Sequence, residues 1–590
     1  MSPRIYPLNP PLPFQRPSLT PIATLAVVAL ALVAIGWRAW YAVQFSQLLD
    51  CGNCLVAPSA LNEAQPFLAL LCLTWAAGRW WPRGALAVRI AVVAVLCISW
   101  ADIATQRTFA TRLSWYEIRK FWNEAATLLD FAKILSPGVG HALLAALAAA
   151  TVLLALGCYV AKGRPRIPGR IAALGVCVLT VGALAPGADT HQYYVRGSLP
   201  TFWQTPTRHT FYPSNWQPPH PSAAALTCHP PQQSLDVTQV VLVIVESLSS
   251  YQSQSFGGIH DWTPQLDHWA RSGWKFTHFL ANGKTTEDGL YALLTGRNPI
   301  PAPGLDTVYA QPLDTAATLP SILERNGYHT AFLTTGDLAF MHKGDWLRRV
   351  GFDEIEGHDA PYYNGHPRYH FGAAKDDALY GRALEWMDQR PQDKYLLTLE
   401  TVSSHQPFLD PESGKISAEG AFRYADAALG RFVSQMQAKG FFEKGLLIIA
   451  SDHRAMVPAT AREKASLGPR HLSRVPFVLL GKGVPQGRVE EAHAYSQQDV
   501  LPSLSIMLTG QAPCTPPWQG IFTPSQQMPA SCIASSRASQ PDSIFLQCGA
   551  REDHEVILDA EHTRYQQESS GSPAYVDLIH TQRTMPPVRP

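Results

Sequence analysis

The hydrophobic positions of this chain are concentrated in long uncharged runs within its first third. Residues 17–37, 136–161 and 171–188 carry no Asp, Glu, Lys or Arg, and each run is near or above the roughly 18–20 residues that cross a bilayer. Two weaker apolar segments, 64–78 and 86–100, lie between them. The pattern predicts an N-terminal anchor of about five transmembrane helices within residues 1–188.

Basic residues predict the orientation of this anchor. Residues 162–170 hold four Lys or Arg, and Arg79 and Arg83 flank another short loop. If both loops face the cytoplasm, everything after residue 188 lies outside. The loop 101–135 is outside in this arrangement although it holds five basic residues. Its tryptophans and phenylalanine among charges predict an amphipathic segment lying in the membrane interface.

The pattern changes beyond residue 188. Residues 189–236 are rich in Pro, Thr, Gln and His and predict an extended linker. Strands then alternate with helical patterns, which predicts an α/β domain with a mainly parallel sheet over residues 237–510. The strands are predicted at 237–245, 330–334, 395–400, 446–450 and 475–480, and the helices at 264–272, 289–294, 319–326, 374–388 and 422–439. Residues 511–590 contain two short strand-like runs at 543–547 and 555–558, and the segment is predicted to be either a small C-terminal appendix packed on the domain or a partly disordered tail.

Polar side chains stand directly after the predicted strands, where α/β sheets bind their ligands. Glu246 follows the first strand, Asp452 and His453 follow LLIIAS, and His405 follows LLTLETVSS. A pair of threonines, Thr285 and Thr286, precedes the helical segment DGLYALLTG. Two carboxylates, an imidazole and a hydroxyl suit one divalent cation such as Mn²⁺, Mg²⁺ or Zn²⁺. Taken singly, the same residues are ordinary helix caps and loop turns.

Composition narrows the classes of function. Charged residues make up 16% and the formal net charge is +1, which excludes a nucleic-acid binder with a broad basic field and an acidic disordered chain. Six of the ten cysteines would lie outside, where disulfides form. Cys51 and Cys54 form a CxxC without a second pair nearby, which favours a local disulfide or plain thiols over a metal or redox site.

The segments TPQLDHWARSGWKF from Thr263, GYHTAF from Gly327, YADAALGRF from Tyr424, SDH from Ser451 and SQQDVLPSL from Ser496 share their order with a known group of enzymes. Residues 240–510 resemble the sulfatase-like part of the alkaline phosphatase superfamily. With five preceding spans, the chain resembles the lipoteichoic-acid synthase and phosphoglycerol transferase family, which is similar to the phosphoethanolamine transferases.

The resemblance implies the nucleophile. The stretch TEDGLYALLTGR aligns with the sulfatase signature C/S-x-P-x-R…LLTGR, which puts Thr286 at the nucleophile position, while Asp288 and Leu290 replace the Pro and Arg. A threonine cannot become formylglycine, so the resemblance implies phosphoryl rather than sulfate chemistry. Aligned instead with the GKT of Gram-positive synthases, the nucleophile is Thr285; the glycine spacing favours Thr286.

The resemblance also implies the rest of the site. Glu246, Thr286, Asp452 and His453 are implied as metal ligands, with Mn²⁺ favoured and Zn²⁺ or Mg²⁺ as alternatives. Trp346, Arg348 and His405 match the polyol-phosphate pocket of the family. Arg454 stands where a glycine usually follows SDH, and His471 lies where phosphoethanolamine transferases carry a metal-binding histidine.

The predicted function is a metal-dependent phosphotransferase of a bacterial inner membrane, with its catalytic domain on the extracytoplasmic side. It moves phosphoglycerol from a phospholipid donor in the bilayer to an envelope glycan or polyol acceptor, through a phosphothreonine, and binds no nucleic acid. The alternatives are phosphoethanolamine transfer, a periplasmic hydrolase, and a non-catalytic envelope scaffold.

Overall fold

The computed structural model describes a large part of the chain: residues 20–48, 52–80, 85–109, 112–122, 196–203, 234–299, 307–311, 313–457, 459–468, 470–491, 494–510, 532–537, 540–548 and 552–557. The chain divides into two compact units. The first comprises residues 1–47, 52–104 and 136–202, and the second comprises residues 48–51, 105–135 and 203–590.

Long apolar helices make up the described part of the first unit. The helices that precede the large domain are α1 (Thr20–Leu48), α2 (Val56–Trp80), α3 (Ala85–Phe109), α4 (Trp115–Lys120) and α5 (Ser198–Trp203). The short helix α4 falls in the second unit. Helix α5 lies within residues 189–236, the segment predicted to be an extended linker, and its Thr201 hydroxyl donates to the Gly197 carbonyl one helical turn back.

The predicted five-span anchor is not confirmed by the described residues. Among the described residues, Leu86–Ile103 of α3 is the one stretch long and apolar enough to cross a membrane by length and composition, and Val27–Val43 of α1 is a shorter apolar stretch. Helix α2, predicted as the weak second span, contains Glu63, Pro66 and Arg79, which lower its mean hydropathy. The predicted spans at 136–161 and 171–188 lie outside the described residues.

A buried ionic cluster joins the helices of the first unit. Arg38 of α1 forms ion pairs with Glu63 of α2 and Asp102 of α3, and all three side chains are nearly inaccessible. Glu63 also accepts hydrogen bonds from the Ser99 hydroxyl at 2.5 Å and from the backbone N–H of Ser198 at 2.8 Å. Because buried charges need partners, this network fixes α5 against α1, α2 and α3.

A mixed, mostly parallel sheet forms the core of the second unit. Its strands are β1 (Gln239–Val245), β2 (Trp274–Phe276), β4 (His329–Thr334), β5 (Glu354–Glu356), β6 (Tyr395–Glu400), β7 (Gly445–Ser451), β8 (Val478–Gly481) and β9 (Val489–Glu490). Among the described residues their order is β5-β4-β6-β1-β7-β8-β2-β9. Strand β8 runs antiparallel to both β7 and β2, while the other pairs are parallel. The predicted α/β domain with a mainly parallel sheet is confirmed.

Helices cover both faces of this sheet. They are α6 (Pro264–Ser272), α7 (Thr286–Thr295), α8 (Leu319–Glu324), α9 (Lys343–Val350), α10 (Asp376–Asp388), α11 (Ala418–Ala438), α12 (Ala461–Leu467) and α13 (Val500–Thr509). Alternate residues of β1 enter opposite cores: Val240 and Leu242 pack on one face, and Val241 and Val243 on the other. This explains why β1 is apolar at every position.

Two smaller sheets complete the second unit. The strands β3 (Phe279–Leu280) and β10 (Tyr495–Ser496) pair in parallel beside the large sheet. Near the C-terminus, β11 (Cys532–Arg537), β12 (Gln540–Cys548) and β13 (Glu552–Ile557) form an antiparallel sheet, and β12 and β13 contain most of the two strands predicted there. Cys532 and Cys548 stand directly opposite one another in its register.

The cysteine predictions are tested at a few positions. Cys54 is disulfide-bonded, which excludes the plain-thiol interpretation for this residue. Cys97 of α3 is a free thiol. Cys51, Cys158, Cys177, Cys228 and Cys514 lie outside the described residues.

Candidate active site

Neighbouring strands of the large sheet bring an acidic cluster together. Glu246 directly follows β1, and Asp452 and His453 follow β7, which pairs with β1 in parallel. The Nε2 atom of His453 lies 3.4 Å from Glu246 Oε1 and 3.3 Å from Asp452 Oδ2. One ligand atom from each of the three buried side chains lies within 4.8 Å of the others. This is the separation expected of atoms that share one cation.

Hydrogen bonds behind the cluster fix which atom each residue offers. Asp452 Oδ1 accepts from the backbone N–H groups of Ser247 at 2.8 Å and His453 at 2.7 Å. The Nδ1 atom of His453 donates to the Arg454 carbonyl at 2.9 Å. Asp452 Oδ2 and His453 Nε2, the atoms aimed into the cluster, have no hydrogen-bond partner although they are buried. A buried polar atom without a hydrogen-bond partner lowers the stability of the fold. A metal ion bound by these two atoms would remove that penalty, so the donor set fits a bound metal ion.

The charges within the cluster are strongly interdependent. Burial and the neighbouring Glu246 carboxylate raise the pKa of Asp452 well above its usual value. Although burial disfavours an imidazolium, the neighbouring Asp452 and Glu246 carboxylates raise the pKa of His453 to about 10. Burial would raise the pKa of Glu246, but the neighbouring His453 imidazole outweighs burial and holds this pKa well below its usual range. The site therefore attracts positive charge strongly.

The two threonines have different roles in the fold. Thr285 is the N-cap of α7, and its hydroxyl accepts from the backbone N–H of Asp288 at 3.3 Å. Thr286 is the first residue of the helix, and its hydroxyl donates to Glu246 Oε2 at 3.1 Å. The helix N-terminus at this position also favours anions. The geometry therefore places the Thr286 oxygen, rather than the capping Thr285 oxygen, at the acidic cluster.

Helix α7 approaches the metal-ligand loop very closely at Gly289. A Cβ atom added there would lie only 2.2 Å from the backbone carbonyl oxygen of Asp452. Any larger residue would displace either the helix or the loop. Gly289 therefore keeps Thr286 within hydrogen-bonding distance of Glu246.

His405 lies in the same charged region. Its Nδ1 donates to the Gln406 carbonyl at 2.5 Å, and its ring packs edge-on against Phe371. Burial lowers the pKa of His405, and the nearby Glu246 carboxylate opposes this effect only in part. The imidazole is therefore neutral at pH 7 and carries its acceptor lone pair on Nε2.

The other two predicted substrate residues lie elsewhere in the fold. Trp346 is completely buried in the core and stacks on Tyr309 with ring centroids 4.4 Å apart. The side chain of Arg348, on the same helix, is 66% exposed and pairs with Asp345 at 2.8 Å. The structure does not bring either residue to the acidic cluster, because α9 turns one into the core and the other to solvent. Their role in phosphate binding stays a prediction.

Two further positions noted in the sequence also point away from the cluster. The Arg454 guanidinium forms a bidentate pair with Glu463, with both N···O distances at 2.7 Å. His471 is half-buried, and its Nδ1 donates to the Gly468 carbonyl at 2.9 Å. His471 is absent from the cluster of potential ligands found among the described residues.

Sequence reasoning missed an ion pair beside the site. Glu400 is the last residue of β6, which pairs with β1, and its side chain is 2% exposed. Lys343 Nζ donates to its two carboxylate oxygens at 2.6 and 2.9 Å. Glu400 ends LLTLE as Glu246 follows LVIV, so the same strand-end criterion would have identified it.

A buried carboxyl group holds the segment that leads to His405. Asp376 Oδ1 accepts from the backbone N–H groups of Val402 and Ser403, both at 3.0 Å. Its Oδ2 is buried without a hydrogen-bond partner. Burial raises the pKa of Asp376 to about 6, because the charged form is poorly solvated.

Asp376 is expected to make stability depend on pH. Since its folded pKa lies above the unfolded value of about 4, its contribution is complete below about pH 4 and is lost as the pH rises through about 6. Asp376→Asn should remove this component, worth about 3 kcal/mol. The measurement is the difference in thermal unfolding midpoint between wild type and variant, with the full chain in detergent, from pH 4 to pH 8. A difference that does not change over this range contradicts the assignment.

Comparison with known proteins agrees with this architecture. Residues 238–510 match the family model described as Sulfatase. These residues are therefore similar to a sulfatase-family domain. The match begins one residue before β1 and ends one residue after α13, so it includes Glu246, Thr286, Asp452 and His453.

Individual relatives are similar over parts of the chain. Phosphoglycerol transferase I of Xanthomonas campestris pv. campestris is 26% identical over 282 residues, which are 44% of this chain and 39% of that protein. Lipoteichoic acid synthase of Staphylococcus saprophyticus is 24% identical over 213 residues, 32% of either chain. The chain thus spans less than half the length of these curated relatives.

Solved structures also resemble the chain. A protein in the alkaline phosphatase superfamily from Vibrio parahaemolyticus superimposes with a TM-score of 0.48 at 23% sequence identity, over 61% of this chain and 88% of that one.

Proposed function

We propose that the protein is a membrane-bound, metal-dependent phosphotransferase that moves phosphoglycerol from a phospholipid to an envelope glycan or polymer. The observation that carries this proposal is the Thr286 hydroxyl, 3.1 Å from Glu246 Oε2 at the start of a helix and beside Asp452 and His453. The names of the curated relatives support the phosphoglycerol group. The basic loops and apolar runs of the first third support a bacterial inner membrane, with the domain on its extracytoplasmic side.

Glu246, Asp452 and His453 are the residues that would hold the metal, with the Thr286 oxygen beside them. Carboxylate oxygens with one imidazole favour Mn²⁺, and Zn²⁺ and Mg²⁺ remain alternatives. Such an ion supplies Lewis acidity toward a phosphoryl oxygen and lowers the pKa of a hydroxyl next to it. The remaining chemistry belongs to the chain's own residues.

Thr286 is the nucleophile in this proposal. Its oxygen forms a bond to the phosphorus of the phospholipid as the bond from phosphorus to the diacylglycerol oxygen breaks. Diacylglycerol leaves, and phosphoglycerol stays on Thr286 as an ester. A hydroxyl of the acceptor then attacks the same phosphorus, and the threonine oxygen leaves. The hydrogen bond to Glu246 and the cap at Thr285 hold the attacking oxygen in one position.

Two further features would stabilise the negative charge on the phosphoryl group and transfer the protons of this reaction. The N-terminal amides of α7 favour the negative charge of the phosphoryl group. His405 holds its Nδ1 proton on the Gln406 carbonyl, so its unprotonated Nε2 takes the hydroxyl proton of Thr286 and passes it to the leaving diacylglycerol oxygen. In the second step Nε2 takes the proton of the acceptor hydroxyl and returns it to the threonine oxygen.

The donor head group is tested by direct comparison. The full chain in detergent is supplied with phosphatidylglycerol or phosphatidylethanolamine carrying a labelled head group and the same acyl chains. We expect release of diacylglycerol and retention of label on the protein with phosphatidylglycerol. Retention with phosphatidylethanolamine alone would instead identify a phosphoethanolamine transferase that uses the same threonine.

A further inference from the structure

A row of aromatic rings extends from Phe121, in the segment that follows helix α3, to His405. The ring of Phe121 stacks on Phe340 with centroids 6.1 Å apart. The ring centroids of Phe340 and Phe371 are 5.0 Å apart. The Phe371 ring packs edge-on against the His405 ring, with centroids 4.8 Å apart. All four side chains are partly exposed. An apolar surface therefore adjoins a residue of the candidate active site.

The backbone that carries two of these rings is held in unusual conformations. Met341 and His342, directly after Phe340, have φ values of 54° and 58°, and Phe371 itself has 57°. Residues with side chains rarely adopt this left-handed region, because it brings Cβ too close to the following carbonyl oxygen. A strained backbone persists only where the surrounding structure holds it in place. We therefore infer that Phe340 and Phe371 are held in fixed positions next to His405.

The other end of the row has the composition of a membrane interface. Helix α4 begins six residues after the end of α3, which contains the apolar stretch Leu86–Ile103. Trp115 at its start is 46% exposed, and Trp122 just beyond its end is 72% exposed. Arg119 between them is also exposed. Exposed tryptophans beside a basic residue are typical of segments at the level of anionic lipid head groups.

We propose that Phe121, Trp122, Phe340 and Phe371 bind the diacylglycerol end of the phospholipid donor while its head group reaches Thr286. This inference rests on the proposed function and adds the surface that recognises the lipid part of the substrate. Two observations select a lipid rather than another partner: the short distance along the chain to an apolar helix, and the contact of Phe121 with a ring row that ends at His405.

The surface has a specific kinetic consequence. A donor with long acyl chains gains apolar contact with the rings, whereas a short-chain donor dissolved in water gains little. Removing a ring should therefore weaken the use of the long-chain donor and leave the chemistry at Thr286 unchanged. A ring that only supports the fold would affect both donors equally.

The test compares Trp122→Ala and Phe340→Ala in the full chain, reconstituted in vesicles or kept in detergent. Vesicles containing dioleoyl phosphatidylglycerol and water-soluble dibutanoyl phosphatidylglycerol are the two donors. For each variant we expect KM for the vesicle donor to rise about tenfold, with kcat preserved, while kcat/KM for the soluble donor stays within about twofold. Val489→Ala, another exposed apolar position, is the control and should affect neither donor.

The outcomes separate this inference from the function on which it rests. The proposed lipid-binding surface would be overturned if Trp122→Ala lowered kcat/KM equally for both donors. It would also be overturned if Trp122→Ala changed kcat/KM for neither donor. Trp122 is highly exposed, so its replacement is not expected to prevent folding. If Thr286→Ala turned over both donors normally, the proposed function itself would fail, whatever the Trp122 variant did.

Discussion

Replacing Thr286 with alanine should lower phosphoglycerol transfer by about 10³-fold or more, because the variant lacks the hydroxyl that donates to Glu246 Oε2 and acts as the nucleophile. The variant keeps a good helix former at the first position of α7, so the fold and the metal ligands should be retained. The measurement is the release of diacylglycerol from labelled phosphatidylglycerol by the full chain.

The adjacent threonine provides the matched control. Thr285→Asn keeps a side chain that caps helices well but has no hydroxyl, so it should retain most of the activity. Thr286→Ser keeps a hydroxyl and should also remain active. If Thr285→Asn were inactive and Thr286→Ala active, the nucleophile would be Thr285.

Replacing Glu246 with glutamine should weaken metal binding by at least about 100-fold and abolish transfer. The change removes a negative charge from a buried site whose other ligands are one carboxylate and one imidazole, and metal–ligand affinity depends on that charge. The metal content of the purified full chain, measured by mass spectrometry after equilibration with Mn²⁺, is the readout.

An exposed glutamate is the control for this substitution. Glu419 pairs with Arg423 on the surface of α11, so Glu419→Gln should bind metal and transfer phosphoglycerol as the wild type does. If Glu246→Gln kept a full complement of Mn²⁺, the cluster of Glu246, Asp452 and His453 would not be the metal site.

The large domain could be predicted because its strands are buried on both faces. Strands β1, β6 and β7 read as continuous apolar runs, and a polar residue marks the point where each run leaves the core. Because ligands of such sheets bind beyond the carboxyl ends of the strands, the polar residues after these runs also identified Glu246, Asp452 and His453 as one candidate site. Apolar runs in the first third are harder to interpret, since length and composition do not show which helices pack against one another.

Features that depend on packing could not be predicted. The sequence left Thr285 and Thr286 as alternatives for the nucleophile, because it does not fix the residue at which α7 begins. In the structure α7 begins at Thr286, which makes Thr285 the N-cap. Trp346 and Arg348 are two residues apart on a helix, so they face different directions, and the sequence does not show which direction faces the site. The contact of Phe121 with Phe340 joins residues more than 200 positions apart.

A phosphoglycerol ester on Thr286 is the most direct consequence of the proposed chemistry. Lys284 and Arg297 bound a tryptic peptide that begins at Thr285, so fragment ions distinguish the two threonines. After the full chain is mixed with phosphatidylglycerol and quenched in acid, mass spectrometry should find the mass of a glycerophosphoryl group on Thr286, and none in Thr286→Ala. Turnover with an unmodified peptide at every time point, or with the added mass on another residue, would contradict catalysis through Thr286.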